Sequence, residues 1–259
     1  MKKTLFILAI ALTLSSACGS NVTPPESSPQ EINSPPPPVS PTAASLSPAQ
    51  EAQASPTPVP PVDEGPVPSE EEAVLSSFSN PSTARGELLV LYGHVLDPGG
   101  APLSGYTVEI WQVDADGIYD HPGDANTAGR DTGFQFYGTA RTDENGLYTF
   151  RTLVPARYEP RPRHIHFKVK QDGTVVLTSQ FYIAGDVEAA QLGPAGEMVL
   201  LVLLDATDGS GAAVKLASKD LVVNTGAGGN LTLTPSQAEG PYYPVADVAA
   251  FDNDLASVP

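Results

Sequence analysis

This sequence is poor in cysteine, in basic residues and in long apolar runs, and each shortage excludes something. A single cysteine, Cys18, in 259 residues rules out an intrachain disulfide. Thirteen Lys and Arg stand against thirty Asp and Glu, for a net charge of −17, and no Lys or Arg occurs between Lys3 and Arg85. A surface this acidic has no basic patch for phosphates, which argues against nucleic acid as a partner. Beyond the first 18 residues no stretch is long and apolar enough to span a bilayer. No segment shows a convincing helical period, which argues against a helical bundle.

Several compositional blocks are present instead. Lys2 and Lys3, then the apolar run Leu5 to Leu14, then Ser15, Ser16 and Ala17 form an export signal over residues 1–18. "LSSAC" resembles the bacterial lipoprotein cleavage box, with Ser15 where that box prefers Leu. The resemblance implies cleavage before Cys18, a lipid on its sulfur, and an exported protein on the cell surface or an outward-facing membrane. Residues 19–80 are dominated by Pro, Ser, Ala and Glu, with "SPPPPVS" and "SPTPVPPV". Too few apolar side chains occur there to offset the entropy of ordering, so the stretch is expected to be a disordered tether. Its prolines keep it stiff and extended.

From Gly86 the pattern changes. "ELLVLYGHVL" (87–96), "GYTVEIWQV" (105–113), "GLYTFRTL" (146–153), "HIHFKVK" (164–170), "VVLTSQFYI" (175–183), "MVLLVLLD" (198–205) and "KLASKDLVV" (215–223) are short and rich in β-branched and aromatic residues. Gly, Pro, Asp and Asn separate them. The pattern predicts one all-β sandwich over residues 86–225, large enough to bury its own core. The unpatterned stretch 120–138 inside it is long for a loop, and such loops are often functional.

Strand alternation puts His164 and His166 on one face, roughly 7 Å apart at Cα, with Ile165 and Phe167 turned to the core. Two imidazoles so placed can share a metal ion. Tyr158 precedes them in "ARYEPRPRH", and Tyr119 lies in "DADGIYDHP" after the strand carrying Trp111. His121 adds a further nitrogen donor, and His121, His164 and His166 together would suit Zn(II) with one position left for water.

Residues 93–186, with "GHVLDPGGAPLSGYTVEIWQVDADGIYDH", "ARTDENGLYTFRTLVPARY", "RPRHIHFKV" and "LTSQFYIAGD", resemble the intradiol ring-cleavage dioxygenases, the family of catechol 1,2-dioxygenase and protocatechuate 3,4-dioxygenase. The resemblance implies a β-sandwich binding one non-haem Fe(III) through Tyr119, Tyr158, His164 and His166. It implies that a catechol binds as a dianion, that Tyr158 leaves the metal and helps accept a proton, and that O2 opens the ring between the hydroxyl-bearing carbons to a muconate-type diacid. Arg161 matches the arginine that stabilises charge on the substrate ring, and Gln180 matches a polar residue near the substrate. Tyr148 and Tyr182 are read as ordinary β packing. Two other readings stay open: a surface β-sandwich that only binds, and a zinc hydrolase built on the three histidines.

Two features depart from the family pattern. The spacing from Tyr158 to His164 is shorter than in the better-known enzymes. "LTPSQAEGPYYPVADVAAFDNDLASVP" (233–259) matches a segment that the family places before its first sandwich strand, whereas here it follows the last. Residues 231–259 are therefore either an arm of a circularly permuted domain or the start of a second copy. Permutation is the favoured account, since domain termini often lie close together.

Overall fold

The computed structural model describes residues 68–258. The expected signal peptide, Cys18 and most of the tether lie outside the described residues, as does Pro259. Two five-stranded sheets face each other. In the first, β1 (Leu88–Leu96) pairs antiparallel with β4 (Leu147–Leu153) on one edge. On the other edge it pairs in parallel with β9 (Ala213–Ser218) and then β10 (Leu221–Val222), and β8 (Leu204–Thr207) borders β9. The second sheet runs β3 (Tyr137–Arg141), β2 (Thr107–Trp111), β5 (His164–Gln171), β6 (Thr174–Ile183), β7 (Leu200–Leu201). Alternate residues of both sheets fill the core. Leu89, Leu91, Phe150, Ile165, Phe167, Val169 and Phe181 are all fully buried, the inward face that a two-layer sandwich needs.

Several expectations change at this level. The run 198–205 is two strands, because it crosses from the second sheet (β7 on β6) to the first (β8 on β9). The run 215–223 is also interrupted. Asp220 turns its carboxylate into the ladder and accepts the backbone N–H of His94 at 2.9 Å, where a carbonyl would otherwise stand. β3 went unpredicted because "YGTAR" has no apolar alternation. The stretch read as tether contains an α-helix, α1 (Glu70–Ser77), with Val74 and the following Phe78 buried against the sandwich. Its start is a capping box: Ser69 accepts from Glu72 N–H while the Glu72 carboxylate accepts from Ser69 N–H. That Ser-x-x-Glu spacing is a sequence signal for a helix start, obscured by the acidic, proline-rich surroundings.

After β10 the chain returns across the second sheet. Thr234 bonds Val222 in both directions, Ser179 donates to Pro235 O, and Gln237 N–H donates to Thr178 O. Further on, Thr139 N–H donates to Asp252 O and Gln135 N–H to Leu255 O. Leu255 and Ala256 are fully buried. Thr83 and Ala84 N–H groups donate to Ala256 O, and Val258 N–H donates to the Thr83 hydroxyl at 2.8 Å. The segment thus runs from the end of β10 to the entrance of β1.

Candidate functional site

β5 presents His164 and His166 on the face away from the core, opposite Tyr182 and Gln180 of β6 and, at His166, Trp111 of β2. The returning segment covers that face, so both histidines are buried. Trp111 stacks on the His166 ring, centroids 4.8 Å apart and nearly parallel. His164 Nδ1 lies 2.8 Å from Pro162 O, so its N–H is donated there and the Nε2 lone pair faces inward. That Nε2 is 3.2 Å from His166 Nε2 and 3.4 Å from the Tyr119 hydroxyl.

The β2–β3 loop delivers Tyr119. Asp114 accepts the N–H groups of Asp116 and Ile118, and Asp124 accepts that of Tyr119 at 2.8 Å. Within the unpatterned stretch that follows, Asp124 also accepts the Asn126 N–H and Asp131 that of Gly133, so it too is a turn system pinned by carboxylates. Tyr158, from the β4–β5 connection, sets its ring edge-on to Tyr119 at 5.6 Å. Its hydroxyl is 2.8 Å from that of Tyr242 in the returning segment, and the Tyr242 ring lies 4.8 Å from Tyr119. In the "RPR" run the two arginines have different tasks. Arg163 grips Asp186 with two N–H groups at 2.8 and 2.9 Å. Arg161 donates to Gln180 Oε1 at 2.6 Å and to the Tyr182 hydroxyl at 3.2 Å.

Electrostatics follow from this packing. Burial pushes the Tyr119 phenol far above its usual range, with nearby Arg161 opposing. Tyr158 is pushed up to about 12, first by its hydrogen bond with Tyr242 and then by burial. His164 is pulled down by burial, against the Pro162 bond. His166 is pulled down to about 3 by burial, with His164 and Arg161 adding to it. Both imidazoles are therefore neutral at pH 7, the form that binds metals.

A metal ion fits this donor set. Two donors about 2.1 Å from a shared ion and about 100° apart lie roughly 3.2 Å from each other, the separation seen between the Nε2 atoms. His166 Nδ1 is buried without a partner. Without an ion, either tautomer leaves one of its nitrogens unsatisfied or sets two lone pairs against each other, a costly arrangement in a buried site. No group of three His, Cys, Asp or Glu side chains among the described residues is placed to hold a metal; the nearest further donor to the two imidazoles is the Tyr119 hydroxyl, 3.4 Å from His164 Nε2.

The structure brings Tyr119, His164 and His166 into direct contact, sets Tyr158 beside Tyr119, and joins Arg161 to Gln180. His121 does not join them, which corrects the three-histidine zinc alternative. Its Nδ1 is taken up locally, accepting the Gly123 N–H at 2.9 Å, and its ring packs on Tyr242 at 5.4 Å. Tyr182 is more than packing: its hydroxyl links Arg161, Gln180 and, at 2.9 Å, Gln237. The register opposite His164 was the signal for it. Tyr242 and Gln237 carried no signal beyond the displaced motif.

Residues 64–195 match the family model described as "Dioxygenase". The chain is 35% identical over 123 residues to catechol 1,2-dioxygenase of Acinetobacter baylyi, covering 40% of this chain and 39% of that protein. It is 41% identical over 110 residues to the protocatechuate 3,4-dioxygenase beta chain of Burkholderia cepacia, covering 39% and 46%. The chain thus spans less than half the length of these curated relatives. Among solved structures, the dioxygenase domain of a dioxygenase–carbohydrate-binding protein fusion from Streptomyces sp. SirexAA-E aligns with a TM-score of 0.44 and 31% identity, over 56% of this chain and 84% of that one.

Proposed function

The chain belongs to the intradiol ring-cleavage dioxygenase family, and we propose that it is a non-haem Fe(III) enzyme that opens catecholic rings between the two hydroxyl-bearing carbons with O2. Tyr119, Tyr158, His164 and His166 would hold the single ion. The observation carrying this reading is the convergence of two neutral Nε2 atoms, 3.2 Å apart, with a buried phenol 3.4 Å from one of them. Hard phenolate donors suit a ferric ion, which when bound would supply a Lewis-acidic, redox-active centre for a catechol and O2.

The protein's own groups supply the rest. Arg161, held by Gln180 and Tyr182, is a fixed cation in a water-poor site, suited to stabilising negative charge on a bound ring. Tyr158, once ionised, is a base for a catechol proton, since the Tyr242 bond favours its protonated form. The returning segment excludes water from the histidine face. The relatives' names support a catechol as the substrate class. The full chain loaded with ferric ion should be burgundy-red and should consume O2 as it forms a muconate-type diacid. A ferric-loaded protein that stays colourless, or that consumes no O2 with any of a panel of catechols, overturns the reading.

The export signal and lipid on Cys18 belong to the same proposal: a domain held outside the membrane by residues 19–67. Wild-type protein should partition with membranes, and Cys18→Ser should be released or left unprocessed. Unlipidated wild-type protein found wholly in the medium would contradict this. Residues 231–259 fit a circular permutation better than a second copy, because the segment docks on the site and brings Val258 to Thr83. A chain rejoined there and opened within residues 224–230 should fold and load iron as the natural order does. Failure of that permutant to fold would favour the second-copy account.

A further inference from the structure

The part of the returning segment nearest the histidines is not held by backbone pairing. Residues 239–246 make no backbone–backbone hydrogen bond among the described residues. Yet this turn carries Gly240 against His166 and Tyr242 to Tyr158. Side chains must therefore set its position, and one side chain grips both ends. Lys168 follows His164 and His166 on the same face of β5, and its side chain is 9% exposed. Its Nζ lies 2.7 Å from the Glu239 carboxylate at the start of the turn. The same Nζ sits 3.3 Å above the centroid of the Tyr243 ring at the end.

Tyr243 is secured on two further sides. Its hydroxyl donates to Glu109 at 2.9 Å, and Glu109 is itself paired with Lys170. Its ring meets Trp111 edge-on at 5.0 Å, and Trp111 in turn stacks on His166. A buried ammonium must be compensated. Here the nearest compensation is the Glu239 carboxylate and the Tyr243 face, both supplied by the turn, with the Trp111 ring of β2 farther off at 5.7 Å. A lysine satisfies both with a single compact charge.

We propose that Lys168 is a positioning residue: through Glu239 and Tyr243 it holds the 239–243 turn over the histidines, fixing Gly240 and Tyr242 as a wall of the site. The reaction it serves rests on the ring-cleavage reading above. Lys168 touches no reacting group, and a wall contributes equally to substrate and transition-state binding. Its loss should therefore raise KM with little change in kcat.

The test compares wild type, Lys168→Met, Lys168→Arg and Glu239→Gln in the full chain. Amide exchange of residues 239–246 in the metal-free protein should quicken on the order of tenfold in Lys168→Met and in Glu239→Gln, and distant strands should keep their protection. In ferric-loaded protein Lys168→Met should raise KM for catechol by about tenfold and keep kcat within about twofold. Lys168→Arg, which keeps the charge but not its compact shape, should restore part of the loss. Unchanged exchange of the turn in both Lys168→Met and Glu239→Gln overturns the proposal, and so does an unchanged KM in an active Lys168→Met protein. Wild-type protein that consumes no O2 sinks the ring-cleavage reading instead, while the exchange measurement still decides whether Lys168 holds the turn.

Discussion

Gly240→Ala, set beside Gly173→Ala, isolates the contact between the returning segment and the histidines. Gly240 has φ +82°, and a Cβ there would lie 3.0 Å from His166 Cε1. Gly173, at the β5–β6 turn, has φ +80° and nothing within 4 Å of its Cβ position. A left-handed backbone costs a non-glycine residue about 1–2 kcal/mol, partly offset because alanine narrows the unfolded ensemble. Each variant should thus lose about 1 kcal/mol, or roughly 2–4 °C of melting temperature for a domain of this size. Only Gly240→Ala also pushes on a site side chain. His166 must shift by a few tenths of an ångström, while stacking on Trp111 confines the ring to sliding in its own plane. Disturbing a group that orients a metal ligand costs on the order of tenfold in metal affinity. Thermal melts of metal-free protein and ferric titrations followed in the visible would separate the two effects. Gly173→Ala should melt lower and bind iron normally; Gly240→Ala should melt lower and bind it weakly. If the two variants match in both measurements, Gly240 does not lie against His166 and the described cover of the site is wrong.

Leu255→Ala removes a fully buried side chain from the returning segment and should cost about 2–5 kcal/mol in denaturant unfolding; a loss below about 0.5 kcal/mol would mean that the segment is not docked. Arg161→Ala should keep ferric ion and colour but lose turnover by on the order of a hundredfold, and a normal kcat would remove Arg161 from the chemistry. In metal-free protein His166 has a folded pKa of about 3, against 6.5 for the free side chain. Its contribution is therefore fully present above pH 6.5 and is lost as pH falls towards 3, by up to about 1.4 kcal/mol per pH unit. Unfolding titrations at pH 7 and pH 5 should show that loss in wild type and a smaller one in His166→Gln, whereas equal losses would show His166 to be exposed to water in the metal-free state.

Much of this molecule is governed by short-range rules that can be read along the chain. Residue alternation sends Ile165 and Phe167 into the core and His164 and His166 to the opposite face, because a strand has no other way to point its side chains. The Ser69–Glu72 capping box was equally local, although the acidic and proline-rich context hid it. Short loops and β-rich runs specify a sandwich, but not that 198–205 changes sheets midway. That depends on which neighbour each half meets. The environment of the histidines is further from local control. Tyr242 reaches Tyr158, and Lys168 holds Glu239 and Tyr243, only because the chain after β10 folds back over the second sheet. Thr83 meets Ala256 and Val258 for the same reason. No periodicity encodes such contacts. They form when apolar groups such as Leu255 and Val248 are buried against a sheet that exists only after distant strands have paired. Backbone sterics and alternation made most of the strands, though not β3 or the breaks in 198–205 and 215–223, and the histidine face legible in advance. The cover of that face, and with it the neutral imidazoles, the raised Tyr119 phenol and the Tyr242 bond that raises Tyr158, came from contact between distant segments, which is a property of the packed whole.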